Sequence, residues 1–250
     1  MQTKLHAVVT GGGAGIGLAI ARALAADGHA VTIMGRNEER LTRCAAEFAG
    51  AEVCDVAEED SVVRAFDAAV DARGPVGILV NNAGIVHTAS FLRQGEDDWQ
   101  HHWQTNVLGA VYTIRQVLDG MKARKLGRIV NVASTAALKP YLYVAPYVAT
   151  KHALLGLTRA LALELAGSGV TVNAICPGYT DTEMIQSAVN LLVEKSGRTL
   201  EAALSSFTSV NPQGRLIDPA EVGETVRWLV SDGAQSVTGQ AIVIAGGEVM

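Results

Sequence analysis

The stretch "YVATK" places Tyr147 four residues before Lys151, and on a helix positions i and i+4 share one face. Tyr and Lys meet at this spacing in many helices, so the surrounding chain has to decide whether the pair does chemistry. The chemistry it could do is proton transfer. A carbonyl being reduced needs a proton as the hydride arrives, and a phenol can supply it. An ordinary tyrosine titrates near ~10. A cation about 4 Å away, at an effective dielectric of ~20, contributes ~4 kcal/mol, or roughly three pKa units towards the useful range. Lys151 is placed to be that cation. Ser134 stands 13 positions before Tyr147, at the end of "RIVNVAS". There its hydroxyl can donate to a substrate oxygen on which charge develops.

A second constellation lies near the N-terminus. "VVTGGGAGIGLAIARAL" sets a glycine cluster between an apolar run and a helical pattern. Gly11, Gly15 and Gly17 allow a tight turn, close backbone approach and close helix packing, and the helix N-terminus then offers N–H groups to a pyrophosphate. The spacing is TGxxxGxG, a variant of the dinucleotide fingerprint. At the end of the next apolar run, where an acid would grip the ribose hydroxyls of NAD, stand Gly35 and Arg36. A guanidinium can bind a 2′-phosphate that a carboxylate would repel. NADP(H) is therefore favoured and NAD(H) remains possible; Arg36 as a plain solvated loop charge is the other reading. Asp55, in "CDV", suits either the adenine amine or an Asx turn.

The elements that must hold these residues alternate along the chain. Runs at 6–10, 30–34, 51–53, 77–81, 128–133, 170–176 and 241–245 read as strands, most of them continuously apolar, as in a parallel sheet buried on both faces. Helical patterns fall at 15–27, 38–48, 58–73, 97–123, 147–167 and 219–231. The alternation predicts an α/β fold: a single-domain, Rossmann-type doubly wound parallel sheet with helices on both faces, spanning 1–250. Residues 179–215 break the rhythm and read as two helices interrupted at "SGR", a lid over the substrate site. In it Met184, Ile185, Val189, Leu191 and Leu192 offer an apolar wall, and Lys195 and Arg198 lie at the bend.

Composition narrows the partners. Of 250 residues 49% are hydrophobic and 18% charged, the net charge is −5, and no Lys/Arg run occurs. No nucleic-acid or membrane surface is expected, and "MQTKLHAVVT" has no leader pattern. Cys44, Cys54 and Cys176 lack CxxC pairing, which fits a reduced cytoplasmic setting without structural zinc. His101 and His102 are adjacent, so a helix points them about 100° apart, and no metal site is expected there. Cys176 reads as a small buried residue rather than a reactive thiol. "HALLGLTRALALEL" is apolar around much of its circumference and suggests a partner subunit beyond the sheet.

Taken in order, "TGGGAGIG", "NNAG" (81–84), Asn106, Ser134, "YVATK" and "PGYTDT" (177–182) resemble the short-chain dehydrogenase/reductases, in particular the branch acting on 3-oxoacyl thioesters. The resemblance covers essentially the whole chain. It implies a catalytic set of Ser134, Tyr147, Lys151 and Asn106, with Lys151 also on the nicotinamide ribose and Asn106 in a water relay. It implies cofactor contacts from Gly11, Gly15, Ile16, Gly17, Arg36, Asp55 and Val56. Further contacts follow from Asn82, Ala83 and Gly84 on the adenine-ribose side, from Tyr147 and Lys151, and from Pro177, Gly178, Thr180 and Thr182 near the carboxamide and phosphate. It also implies a homotetramer built on the helices at 97–123 and 147–167. Two departures stand out: Ala245 replaces the usual asparagine before the C-terminal glycine pair, and the lid is long.

The expected activity is NAD(P)(H)-dependent interconversion of a secondary alcohol and a ketone. A small-molecule carbonyl compound is the substrate, NADPH is favoured, and a 3-oxoacyl thioester is the candidate. The rival enzyme is an NAD-linked catabolic dehydrogenase of a hydroxy acid or cyclic alcohol. The rival from another class is a non-catalytic cofactor-sensing protein, which would tend to lack the tyrosine or lysine.

Overall fold

The computed structural model describes residues 4–250; residues 1–3, the start of the stretch read as lacking a leader, lie outside the described residues. Seven parallel strands form one sheet in the order β3-β2-β1-β4-β5-β6-β7. They are β1 (His6–Thr10), β2 (Ala30–Gly35), β3 (Gly50–Val53), β4 (Val76–Asn81), β5 (Gly127–Val132), β6 (Val170–Pro177) and β7 (Ala241–Ile244). Each falls within two residues of the run that predicted it. The helices are α1 (Gly15–Ala26), α2 (Glu38–Cys44), α3 (Glu59–Arg73), α4 (Glu96–Trp103), α5 (Gly109–Arg124), α6 (Ala145–Glu164), α7 (Glu183–Ser196), α8 (Leu200–Thr208) and α9 (Pro219–Leu229).

Side chains alternate across the pleat, so neighbours on one strand feed opposite cores. Ala7, Val9, Ile78 and Val80 pack with Ile20 and Leu24 of α1 and Val222 and Val226 of α9. Val8 and Leu79 point the other way, towards Phe66 of α3, Ile114 and Met121 of α5 and Leu165 after α6. The strand order reverses between β1 and β4, and at such a switch point a crevice opens beyond the carboxyl ends of the strands.

Three local features differ from the expectations. The helix expected over 97–123 is α4 and α5 joined by a π turn at Gln104–Leu108; extra residues of this kind leave no periodic signature to read. The helix expected to start at Tyr147 starts at Ala145, because Pro146 is well placed in a first turn, where its missing N–H costs nothing. The lid does break at "SGR": Gly197 caps α7 with φ +67. Its five apolar residues do not form one wall, however. Val189 is buried and Ile185 and Leu192 are half-buried, while Met184 and Leu191 face solvent. The 3.6-residue period divides them between two faces.

Candidate active site

The glycine-rich turn is built as a cradle. Gly11 has φ +64, a backbone conformation that suits glycine. A methyl on Gly17 would collide with the Gly11 carbonyl. Ala14 caps α1 without a side-chain acceptor and its first turn holds no acid, so the leading N–H groups, those of Gly15 and Ile16 among them, remain available to an anion. Thr10 and Asn82 fix the neighbouring "NNAG" segment to this turn. Thr10 Oγ1 accepts from Asn82 N at 3.0 Å and Ala83 N at 3.1 Å, and Asn82 Nδ2 donates to the Thr10 and Gly11 carbonyls at 2.9 and 3.2 Å. Ala83, Val56 and Asn106 line a cavity of about 10 Å³ beneath it, room for about one water.

At the end of β2, Arg36 is exposed and its guanidinium lies 3.8 Å from Asp55. Asp55 also closes an Asx turn, accepting from Ala57 N at 3.0 Å. The bland reading of this aspartate is thus realised in the structure. Arg40, which the sequence reading passed over, lies against Gly13 of the cradle and pairs with Glu183 of the lid at 2.8 Å. Its only sequence signal is its place four residues beyond Arg36.

The catalytic candidates converge beyond β5. Lys151 is 4% exposed; its Nζ donates to the Val132 carbonyl at 2.9 Å and lies 5.5 Å from the centroid of the Tyr147 ring. Asn106 sits in the π turn with its side chain fully engaged. Oδ1 accepts from Ile85 N at 2.8 Å, and Nδ2 donates to Ile85 O at 3.0 Å and Thr150 Oγ1 at 3.1 Å. A methyl on Gly84 would touch both Asn106 and Lys151, at 3.2 and 3.5 Å. Ser134 Oγ accepts from Ala136 N at 3.0 Å, which leaves its proton free to be donated elsewhere.

The electrostatics correct one expectation. Burial raises the Tyr147 pKa above its ordinary value, opposed by a hydrogen bond from the Ser134 hydroxyl, with Tyr179 and Cys176 adding to the rise. The phenol is not lowered, because its own burial outweighs the stabilisation of its charged form; burial likewise brings Lys151 down to about 8. Two buried groups each favour their neutral form.

The segment after β6 closes the site from the other side. Gly178 N donates to Ile244 O at 3.0 Å, holding the Pro177–Gly178 turn on β7. Thr180 is buried, and its hydroxyl donates to the Gly178 carbonyl at 3.0 Å. Thr182, the cap of α7, rests on the cradle, where a methyl on Gly15 would lie 3.2 Å from Thr182 Cγ2. Ala245 is buried against Gly178. Tyr179 stacks edge-on with Tyr141 on one side and Phe207 of α8 on the other, with centroids 6.0 and 5.1 Å apart. The sequence reading missed this row, since its members are remote in the chain.

His102 is buried, with one ring nitrogen on the Asp98 carbonyl at 2.7 Å and the other accepting from His87 N at 3.1 Å. No group of three or more His, Cys, Asp or Glu side chains suited to a metal occurs among the described residues. The three cysteines are free and buried, and burial raises the pKa of Cys176 and pushes Cys54 up to about 12. No helix among the described residues is long and apolar enough to cross a membrane.

A parallel sheet with its crevice at the switch point, a glycine cradle and a Ser–Tyr–Lys set define a nucleotide-dependent oxidoreductase. A family model for short chain dehydrogenases matches residues 5–191, and the chain belongs to that family. It is 40% identical over 254 residues to a putative ketoacyl reductase of Streptomyces coelicolor, covering 98% of this chain and 97% of the relative. It is 37% identical to the D-beta-hydroxybutyrate dehydrogenase of Cupriavidus necator, covering 96% of each. Among solved structures it is similar to a variant of actinorhodin polyketide ketoreductase with NADPH (TM-score 0.94, 38% identity, 99% of each chain). The L-sorbose reductase of Gluconobacter frateurii with NADPH and L-sorbose is also similar (TM-score 0.94, 30% identity, 98% and 97% covered).

Proposed function

We propose that this enzyme reduces a ketone to a secondary alcohol with NADPH, and that its substrates are 3-oxoacyl thioesters. The observation that carries the reading is the pairing of Ser134 with Tyr147. The serine accepts from Ala136 and so keeps a proton to donate, to Tyr147 in this structure and to the carbonyl oxygen once substrate is bound, and the buried phenol holds its own proton at neutral pH. NADPH supplies the hydride to the carbonyl carbon when bound. Ser134 donates to the carbonyl oxygen, Tyr147 gives that oxygen its proton, and the Lys151 cation stabilises the phenolate left behind. Asn106 braces the Ile85 backbone beside Lys151 and so holds the wall through which the proton is replaced.

The cradle residues Gly11, Gly15, Ile16 and Gly17 fit a pyrophosphate, because α1 begins with uncapped N–H groups and no acid in its first turn, and close packing at Gly11 and Gly17 holds that turn in place. Arg36 and Arg40 fit a 2′-phosphate. Asp55, Val56, Asn82, Ala83 and Gly84 border the adenosine half; Tyr147, Lys151, Pro177, Gly178, Thr180 and Thr182 border the nicotinamide half. The chain acts as one nucleotide-binding domain, with 179–215 as the lid over the acyl chain. It works in the cytoplasm as a homotetramer. In support, Trp103 and Leu163 are 46% and 82% exposed on α4 and α6, and all four β7 residues are only half-buried.

The thioester assignment leans on the relatives named ketoacyl reductase; Lys195 and Arg198 are exposed at the lid's bend but make no strongly basic clamp. Turnover of 3-oxohexanoyl N-acetylcysteamine thioester and of cyclohexanone, each with NADPH, tests it. A higher kcat/KM for the thioester supports the assignment, and equal or lower values overturn it.

A further inference from the structure

Glu248 is a buried carboxylate that no step above uses. Its side chain is 1% exposed, whereas every other ion pair among the described residues has both partners at least 19% exposed. Local sequence forces it inward. Gly246 and Gly247 have φ +59 and +94, and a methyl on Gly246 would collide with the Asn211 side chain. Two consecutive left-handed residues reverse the chain there and tuck Glu248 beneath Gly178.

Its partners all come from the segment between Ser134 and Tyr147. Lys139 Nζ lies 2.9 Å from Oε1, and the Tyr141 hydroxyl donates to the same oxygen. With that proton committed, the Thr135 hydroxyl donates to Tyr141 at 2.6 Å. Oε2 is buried without a protein partner and faces Gly178. The Tyr141 ring in turn begins the row with Tyr179 and Phe207. That row joins the catalytic loop to the lid.

We propose that Glu248 is a positioning residue for the ketone: by holding the Tyr141 hydroxyl it sets the Tyr141–Tyr179–Phe207 row, along which the non-reacting part of the substrate lies. A carboxylate suits the task because charge-assisted hydrogen bonds are the strong ones, and Lys139 balances its charge. Two of the reacting groups are held independently of it. Tyr147 and Lys151 are carried by α6, and Lys151 is tied to β5. The proposal rests on the ketone-reductase reading above.

The test is steady-state kinetics of the full-length protein with NADPH and 3-oxohexanoyl N-acetylcysteamine thioester, or cyclohexanone if only that is turned over. Glu248→Leu and Tyr141→Phe raise the ketone KM roughly tenfold, about the worth of one charge-assisted hydrogen bond. The NADPH KM and kcat stay within about twofold. Glu248→Gln, which keeps an acceptor for Tyr141, raises the ketone KM less than Glu248→Leu. An unchanged ketone KM in both variants overturns the proposal, and so does an equal loss in all three parameters, which marks general loosening. If Glu248→Leu does not fold, Tyr141→Phe carries the test, since it deletes one hydroxyl. If the wild-type protein reduces neither ketone, the reductase reading falls, and amide hydrogen exchange over residues 135–143 decides the positioning. Faster exchange there in Glu248→Gln, with the lid's α8 following, supports it, and unchanged exchange overturns it.

Discussion

Lys151 places its ammonium over the Tyr147 ring, 5.5 Å from the centroid, and donates its hydrogen bond to the Val132 carbonyl rather than to the phenol. The cation is thus anchored by the end of β5 beside the phenol. Its position is bought with desolvation, which is why its pKa falls to about 8. A site that keeps a charged lysine in an apolar wall at neutral pH stores instability for a purpose.

That storage is measurable. The native pKa of Lys151, about 8, lies below its unfolded value of 10.5. Between the two, the unfolded chain binds more protons, so this group makes stability rise with pH. Denaturant unfolding of the wild type and Lys151→Met at pH 7.5 and pH 10 isolates the effect from the thiols and phenols. The difference between the two proteins shifts in favour of the wild type by about 2–3 kcal/mol. A difference that stays flat contradicts the buried-charge account.

Arg36 is exposed and held only loosely by Asp55, at 3.8 Å, so it is free to meet a phosphate. Arg36→Asp lowers kcat/KM for NADPH roughly ten- to a hundredfold, the range of one or two charge-assisted hydrogen bonds, and leaves NADH use less affected. The ratio of the two cofactor efficiencies is the measurement. An unchanged ratio removes Arg36 from the assignment and leaves Arg40 to carry it.

Gly17 packs α1 onto the turn that precedes it. Gly17→Ala forces a methyl into the Gly11 carbonyl and the Asn82 amide. It lowers stability by about 1–3 kcal/mol, as overpacking does, and weakens NADPH binding in fluorescence titration. Native-like melting and binding would mean that the cradle is looser than the packing implies.

What could be read in the sequence follows from how local each signal is. The strands were legible because parallel strands are continuous apolar runs: "GILVN" maps onto β4 and "VTVNAIC" onto β6. The cradle was legible because Gly11 and Gly15 act through backbone conformation and Gly17 through close packing, all within one short stretch. The π turn around Asn106 was not, since it changes hydrogen bonding without changing residue type. The buried rise in the Tyr147 pKa was also hidden, because spacing gives the distance to a cation but not the desolvation of both groups. Arg40, Tyr179 and Glu248 were missed because their partners lie far away in the chain. Glu248 meets Tyr141 across 107 positions.

The central claim is that Tyr147 gives its proton to a ketone oxygen while NADPH is oxidised. Single-turnover loss of NADPH absorbance, with 3-oxohexanoyl N-acetylcysteamine thioester, in the wild type and in Tyr147→Phe tests it most directly. The account predicts turnover in the wild type and a loss of roughly a thousandfold in the variant, within the usual range for a general acid, with NADPH affinity retained. Tyr147→Phe turning over within about tenfold of the wild type would contradict it.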